Sequence, residues 1–204
     1  MNKKDCELKE LQENLQLLHF KLRKQRVIER NRIDPFDELI FDRWEKAKFS
    51  NGQKGSSIYH NNYITGKIFI GEKTWVGPFT ILDGGGAKLR IGKYCSISSG
   101  VQIYTHNTVK WALTAGKVKA ETGKVTIGDC CYLGPYVVVG MGVIIGKNSI
   151  IGAHSFVNSD IPANSIAYGI PAKVIGKVKV KGKNVVVNYF KKNKSIYSKY
   201  KKSS

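Results

Sequence analysis

Residues 127–157 read IGDCCYLGPYVVVGMGVIIGKNSIIGAHSFV, and every sixth residue is a branched aliphatic: Ile127, Leu133, Val139, Ile145, Ile151 and Val157. The residue after each of the first five is glycine. Four places after the aliphatic residue stands something small or β-branched: Cys131, Val137, Val143, Ser149 and Ser155. An amphipathic helix repeats at 3.6 residues and a half-buried strand at 2, and neither holds a beat of six. The same beat runs upstream through Ile58, Ile64, Ile70, Val76 and Leu82, and, after a slip of three residues, through Ile91, Ile97 and Ile103.

A repeat this short cannot bury its own apolar face, so successive repeats must stack. We read each hexad as one short strand and one turn, with the aliphatic side chain pointing inward and the small residue packed beside it. The glycine eases the turn, where φ is positive or the backbone crowded. Three hexads close one triangular coil, giving four to five coils.

Between Ile103 and Ile127 lie 24 residues where six are expected. The extra 18 leave the solenoid as a loop, and loops on rigid scaffolds concentrate function. This one holds Tyr104, His106, Asn107, Trp111 and Glu121. Of the four histidines, His19 sits beside a leucine seam on a helix, and His60 and His154 fall at outward hexad positions. Cys95 and Cys131 occupy the small inward slot, and Cys130 points outward. Asp83 precedes the irregular turn Gly84-Gly85-Gly86; it reads either as a ligand for a sugar hydroxyl or as a turn former. Trp111 reads either as a stacking surface for a sugar or as the loop's anchor.

The hexads closely resemble the hexapeptide-repeat acyltransferases, over about residues 58 to 176. The segment from Asp160 to Val178 resembles that family's closing turn, and Tyr104 to Lys117 resembles the loop of its members that O-acetylate surface-polysaccharide sugars. The resemblance implies a left-handed parallel β-helix; spacing alone does not give that hand, because crossovers are ordinarily right-handed. It implies acetyl-CoA as acyl donor, a homotrimer with the donor in a groove between subunits, and His106 as the catalytic base. The family's CoA contacts fall here on Pro135, Ala153, Asn158, Ser159 and Lys173. Many relatives have Thr-Lys where this chain has Asn158-Ser159, which removes one basic contact. Imidazole suits the chemistry, since it can take a hydroxyl proton near neutral pH.

The ends frame this domain, which spans residues 51–178. Residues 1–50 are expected to be helical. Leu8, Leu11, Leu15, Leu18 and Leu22 follow a 3-4-3-4 spacing on a helix from 5 to 30, which serves either to pack on the first coil or to form a short trimeric coiled coil. Asp34-Pro35 reads as a cap and first position of a second helix through about Phe49, covering the solenoid's open end. The tail, 179–204, is rich in lysine, and eleven lysines follow Pro171 with no acidic residue after Asp160. It is either simply solvated or drawn to anionic lipid.

The formal charge is +19 over 204 residues. Nucleic acid is not expected, because the basic residues are mostly Lys, while base reading favours Arg. The four cysteines show neither metal spacing nor a disulfide framework, and no metal is expected. With no signal-like or membrane-spanning apolar run, the protein is expected in the cytoplasm, with the tail able to draw it to the membrane's inner face. The function expected is O-acetylation of a sugar of a surface polysaccharide or its precursor. The alternatives are N-acetylation of a nucleotide-linked amino sugar, a zinc-dependent carbonic anhydrase on the same fold, and a non-catalytic trimeric scaffold.

Overall fold

The computed structural model describes residues 3–190; the expected tail beyond Phe190 lies outside them. Three helices come first: α1 (Lys3–Arg30), α2 (Phe36–Ile40) and α3 (Arg43–Phe49). The chain then winds through β1 (Ser57–Ile58), β2 (Tyr63–Ile70), β3 (Trp75–Val76), β4 (Ile81–Ile91), β5 (Ser96–Ile97) and β6 (Gln102–Tyr104). The excursion contributes β7 (His106–Asn107), α4 (Val109–Leu113) and β8 (Glu121–Thr122). Winding resumes with β9 (Val125–Ile127), β10 (Tyr132–Leu133), β11 (Val138–Val139), β12 (Ile144–Ile145), β13 (Ile150–Ile151) and β14 (Phe156–Val157), and β15 (Ser165–Gly169), β16 (Ala172–Lys181) and β17 (Asn184–Tyr189) close the chain.

Within the solenoid, neighbouring coils pair in parallel. Tyr132 lies opposite Ile150, Val138 opposite Phe156 and Thr126 opposite Ile144, so a coil is eighteen residues. The slip and the excursion lengthen two coils: Leu82 lies opposite Ile103, and Ile103 opposite Val139. Three faces result, carried by β1-β3-β5-β10-β13-β15, by the first halves of β2 and β4 with β6-β11-β14, and by their second halves with β9-β12. The aliphatic column is sealed inside, with Ile58, Ile70, Leu82, Ile91, Ile97, Ile103, Leu133, Ile145 and Ile151 fully buried. Each such side chain contributes roughly 1.5–3 kcal/mol relative to exposure. The small slot is buried too, from Thr74 to Ser155.

The turns decide between the two roles expected for glycine. At most corners the glycine after the aliphatic residue answers crowding and not a positive φ. A Cβ on Gly128 would lie 2.5 Å from the backbone nitrogen of Lys147 in the next coil. Positive φ falls two residues later, mostly on residues other than glycine: Lys73, Phe79, Tyr94, Cys130, Tyr136, Asn148 and His154. The left-handed conformation aims each turn's N–H at the coil before, as Cys130 N donates to the Lys93 carbonyl at 2.8 Å and Asn148 N to that of Asp129 at 2.9 Å.

The helical end differs in two ways from expectation and narrows a third reading. The predicted second helix is two short ones, broken at Phe41, which is extended (φ −104°, ψ 152°). Asp34 does not cap; it is buried against Arg26 and Arg32, and Asp42 caps α3 by accepting from the Trp44 N–H at 2.8 Å. α1 does not pack its leucines on the first coil, for it buries no residue. The covering role falls to α3, whose Ala47 joins the core. Buried Glu38 fastens this end, accepting the backbone N–H of His60. His60 is therefore tucked under the helices rather than exposed at an outward position, because α2 and α3 overlay that coil. At the other end, Lys179 and Lys181 belong to β16, which runs past the expected boundary at 178 and pairs antiparallel with β15 and β17.

Candidate active site

The excursion is a closed hairpin, not an open loop. His106 pairs with Thr122 and Asn107 with Glu121, in antiparallel register. Lys110 Nζ reaches Glu121 Oε1 at 2.6 Å and holds that carboxyl below its usual range. Between the hairpin and β6 lies Thr105, fully buried. Its Oγ1 accepts the N–H groups of Gly86 (3.2 Å) and Ala87 (3.1 Å), and its carbonyl accepts that of Gly123 at 2.9 Å. The triple-glycine turn of β4 thus wraps Thr105, and a Cβ on Gly86 would lie 2.5 Å from His106 Cβ.

This register brings Asp83 to the histidine. Asp83 lies opposite Tyr104 in the parallel ladder. Its Oδ2 stands 2.6 Å from His106 Nδ1, the carboxylate buried and the imidazole side chain 39% exposed. Neither atom has another polar partner among the described residues. The other oxygen, Oδ1, accepts the Gly85 N–H at 2.8 Å. Both oxygens of Asp83 therefore engage the chain, and of its two expected roles the turn-forming one is present. Nδ1 facing a carboxylate leaves Nε2 as the nitrogen able to accept a proton. Burial first, and then the charge of Asp83, push the neighbouring Tyr104 phenol above its usual range; it donates to Gln102 Oε1 at 2.9 Å.

The remaining site residues of the sequence lie elsewhere on the surface. Pro135 and Ala153 share one corner in successive coils, where His154 N donates to the Pro135 carbonyl at 2.9 Å. Lys173 follows on β16 and is exposed. Asn158 and Ser159, also exposed, occupy the next corner, the one that carries Asp83 and the His106 hairpin. Asn107 bridges along that corner to Met141 Sδ at 3.4 Å. Trp111 is half-exposed and lies over Gly116 of its own loop. His154 is exposed and stacks on Tyr136. Cys95 and Cys131 are buried and Cys130 is exposed. Among the described residues, no three of His, Cys, Asp and Glu converge as a metal site.

One feature escaped the sequence. A cavity of about 580 Å³ opens between α3 and β2, with Phe41, Phe49, His60, Asn62, Thr65 and Gly66 in its wall. Thr65 and Gly66 lie opposite Asp83 and Gly84, so the cavity is one coil from the Asp83–His106 pair. His60 Nε2 and Asn62 Nδ2 are buried behind its wall with no hydrogen-bond partner among the described residues. Its wall is shared between helices and coil, so no single motif could announce it.

The pattern of the family described as bacterial transferase hexapeptide (six repeats) matches residues 124–159. Galactoside O-acetyltransferase of Escherichia coli (strain K12) is 30% identical over 167 residues, which cover 72% of this chain and 80% of that protein. A maltose O-acetyltransferase of Clostridium difficile 630 superposes with a TM-score of 0.56 at 26% identity, over 82% of this chain and 86% of that one. A hexapeptide-repeat acetyltransferase of Vibrio cholerae O1 biovar eltor, complexed with acetyl coenzyme A, shares the fold with a TM-score of 0.59 at 22% identity, over 82% and 89% of the two chains.

Proposed function

The chain belongs to the hexapeptide-repeat family of acetyltransferases, and on that footing we propose that it moves an acetyl group from acetyl-CoA to a hydroxyl of a sugar, one of a surface polysaccharide or its precursor. The observation that carries this reading is the Asp83–His106 pair, 2.6 Å apart at the corner of an otherwise regular solenoid. Asp83 fixes the ring with Nδ1 inward, so that Nε2 faces the acceptor. As the hydroxyl oxygen attacks, its proton passes to Nε2, and the buried carboxylate stabilises the imidazolium that forms. Acetyl-CoA supplies a thioester with a good leaving group, so the transfer is direct and needs no cysteine.

The donor site is read from the resemblance. Pro135, Ala153 and Lys173 are its contacts on one corner, and Asn158 and Ser159 on the next. Ala153, Asn158 and Ser159 are exposed, and so is Lys173, as a contact to phosphates requires. Two corners of one solenoid are united if the groove runs between neighbouring protomers. We therefore take the working form as a homotrimer, and the solenoid as left-handed, as in the family. The acceptor lies at the cavity beside Asp83, where Phe41 and Phe49 offer apolar faces and Glu45, Lys46 and Thr65 stand among its polar lining. No described helix is long and apolar enough to cross a membrane, and the reading places the work in the cytoplasm, at the membrane's inner face where the lysines of β16 attract anionic lipid.

The test is a screen of acetyl-CoA consumption against sugars, nucleotide sugars and amino sugars. Turnover on hydroxyl acceptors supports the proposal. Turnover confined to amines replaces O-acetylation by N-acetylation, and coenzyme binding without turnover on any acceptor leaves a scaffold.

A further inference from the structure

α1 runs for 28 residues without burying one of them in its own chain. Its leucine seam stays in water: Leu8, Leu11, Leu15 and Leu18 are 57%, 54%, 44% and 41% exposed. A solvated helix of this kind gains its stability from packing of its apolar stripe rather than from propensity. The ring contact and the ion pair that α1 makes with its own chain lie in its second half, His19 on Phe36 and Arg26 on Asp34, and Phe36 borders one edge of the hollow along Leu8, Leu11 and Leu15, which stays open.

The occupant of the seam follows from its spacing and its charges. Leucine at successive a and d positions (a: Leu8, Leu15, Leu22; d: Leu11, Leu18) is self-complementary, so a second α1 fits it. Flanking g positions then set the orientation. They are Glu7, Asn14 and Lys21, and neither Glu7 nor Lys21 has an ion-pair partner among the described residues. In a parallel pair, Lys21 meets Arg26 of the other helix and Glu7 meets only Gln12. In an antiparallel pair with Leu8 against Leu18 and Leu11 against Leu15, Glu7 of each helix stands by Lys21 of the other. Four leucines per helix are covered and both charge pairs are opposite in sign.

We propose that α1 is an association surface that pairs antiparallel with α1 of a second copy across a two-fold axis. Such an isologous contact cannot lie on the three-fold axis of a trimer. It joins two protomers, or two trimers, through their helical ends, and it is an alternative to the trimeric coiled coil, one of the two roles that the leucine spacing offered.

The experiment measures molar mass by light scattering over a range of concentrations, with circular dichroism as the check on folding. Leu15→Glu should halve the mass of the wild-type particle while leaving the solenoid's melting unchanged, since Leu15 touches no core. Glu7→Lys and Lys21→Glu should each weaken association by about threefold or more at low salt, and the double variant should restore it. Equal mass for wild type and Leu15→Glu overturns the pairing. Tighter association on Lys21→Glu alone, as relief of a Lys21–Arg26 clash would give, overturns the antiparallel orientation.

Discussion

Asp83 Oδ2 and His106 Nδ1 stand 2.6 Å apart, brought together across adjacent coils because Asp83 lies opposite Tyr104 in the parallel ladder. A carboxylate in this position fixes both the tautomer and the direction of the ring. Asp83→Asn keeps the shape but loses the charge, and its amide can present N–H where the carboxylate oxygen was. Turnover should fall by about 10- to 100-fold, as for other groups that orient a functional imidazole, with coenzyme affinity unchanged by titration calorimetry. Unaltered turnover would show that the pair is structural only.

Gly86 tests the same geometry from the backbone side. A methyl group there must push on His106 Cβ and on the Thr105 carbonyl, 2.5 and 2.9 Å from its position. Displacement of a catalytic group by about 1 Å costs about 10²-fold in rate. Gly86→Ala should therefore lose turnover to about that extent. Coenzyme affinity should persist, since the expected contacts lie in later coils.

How much of this was legible in the sequence divides along physical lines. Burial repeats with the coil, so Ile127 to Val157 announced both the solenoid and its core. The excursion was visible because eighteen residues too many separate Ile103 from Ile127, and His106 stood out as its only histidine. Asp83 was visible as a residue but not as the partner of His106, since that requires the register between coils; aligning Leu82 with Ile103 across the three-residue slip carries the signal. The bury-nothing character of α1 was hidden, because a seam packed on its own chain and a seam packed on another have the same spacing. The break at Phe41 was hidden too, for no glycine or proline marks it.

The cysteines provide a negative control. Cys95 and Cys131 are buried, and their thiols donate to the carbonyls of Gly128 at 3.1 Å and Gly146 at 3.2 Å, an apolar-lined setting that disfavours a thiolate. Alkylation of the native protein should mark only Cys6 and Cys130, the two exposed thiols, and leave turnover intact. Cys131→Ala should cost on the order of 1 kcal/mol in stability through a small cavity. Mass spectrometry detecting an acetylated cysteine during turnover would contradict direct transfer.

Membrane attraction is testable at the lysines that β16 and its turn present. Lys179, Lys181 and Lys183 are exposed, and each lysine near an anionic surface contributes about 1 kcal/mol. Replacing all three by glutamate should sharply reduce cosedimentation with phosphatidylserine vesicles and spare turnover on soluble acceptors. Equal cosedimentation would leave these lysines simply solvated.

The most direct measurement is the pH profile of turnover for wild type and His106→Ala. Only a neutral imidazole can take the acceptor's proton, so the wild-type rate should rise with pH along one ionisation that depends on His106. Tyr104 cannot supply that limb, since burial and Asp83 hold its phenol protonated across the range. His106→Ala should lower turnover by about 10² to 10⁴ and abolish the limb, with coenzyme affinity nearly unchanged and melting lowered, because the buried Asp83 Oδ2 loses its partner. A His106→Ala protein that turns over at near the wild-type rate, with the same rise, would contradict the mechanism.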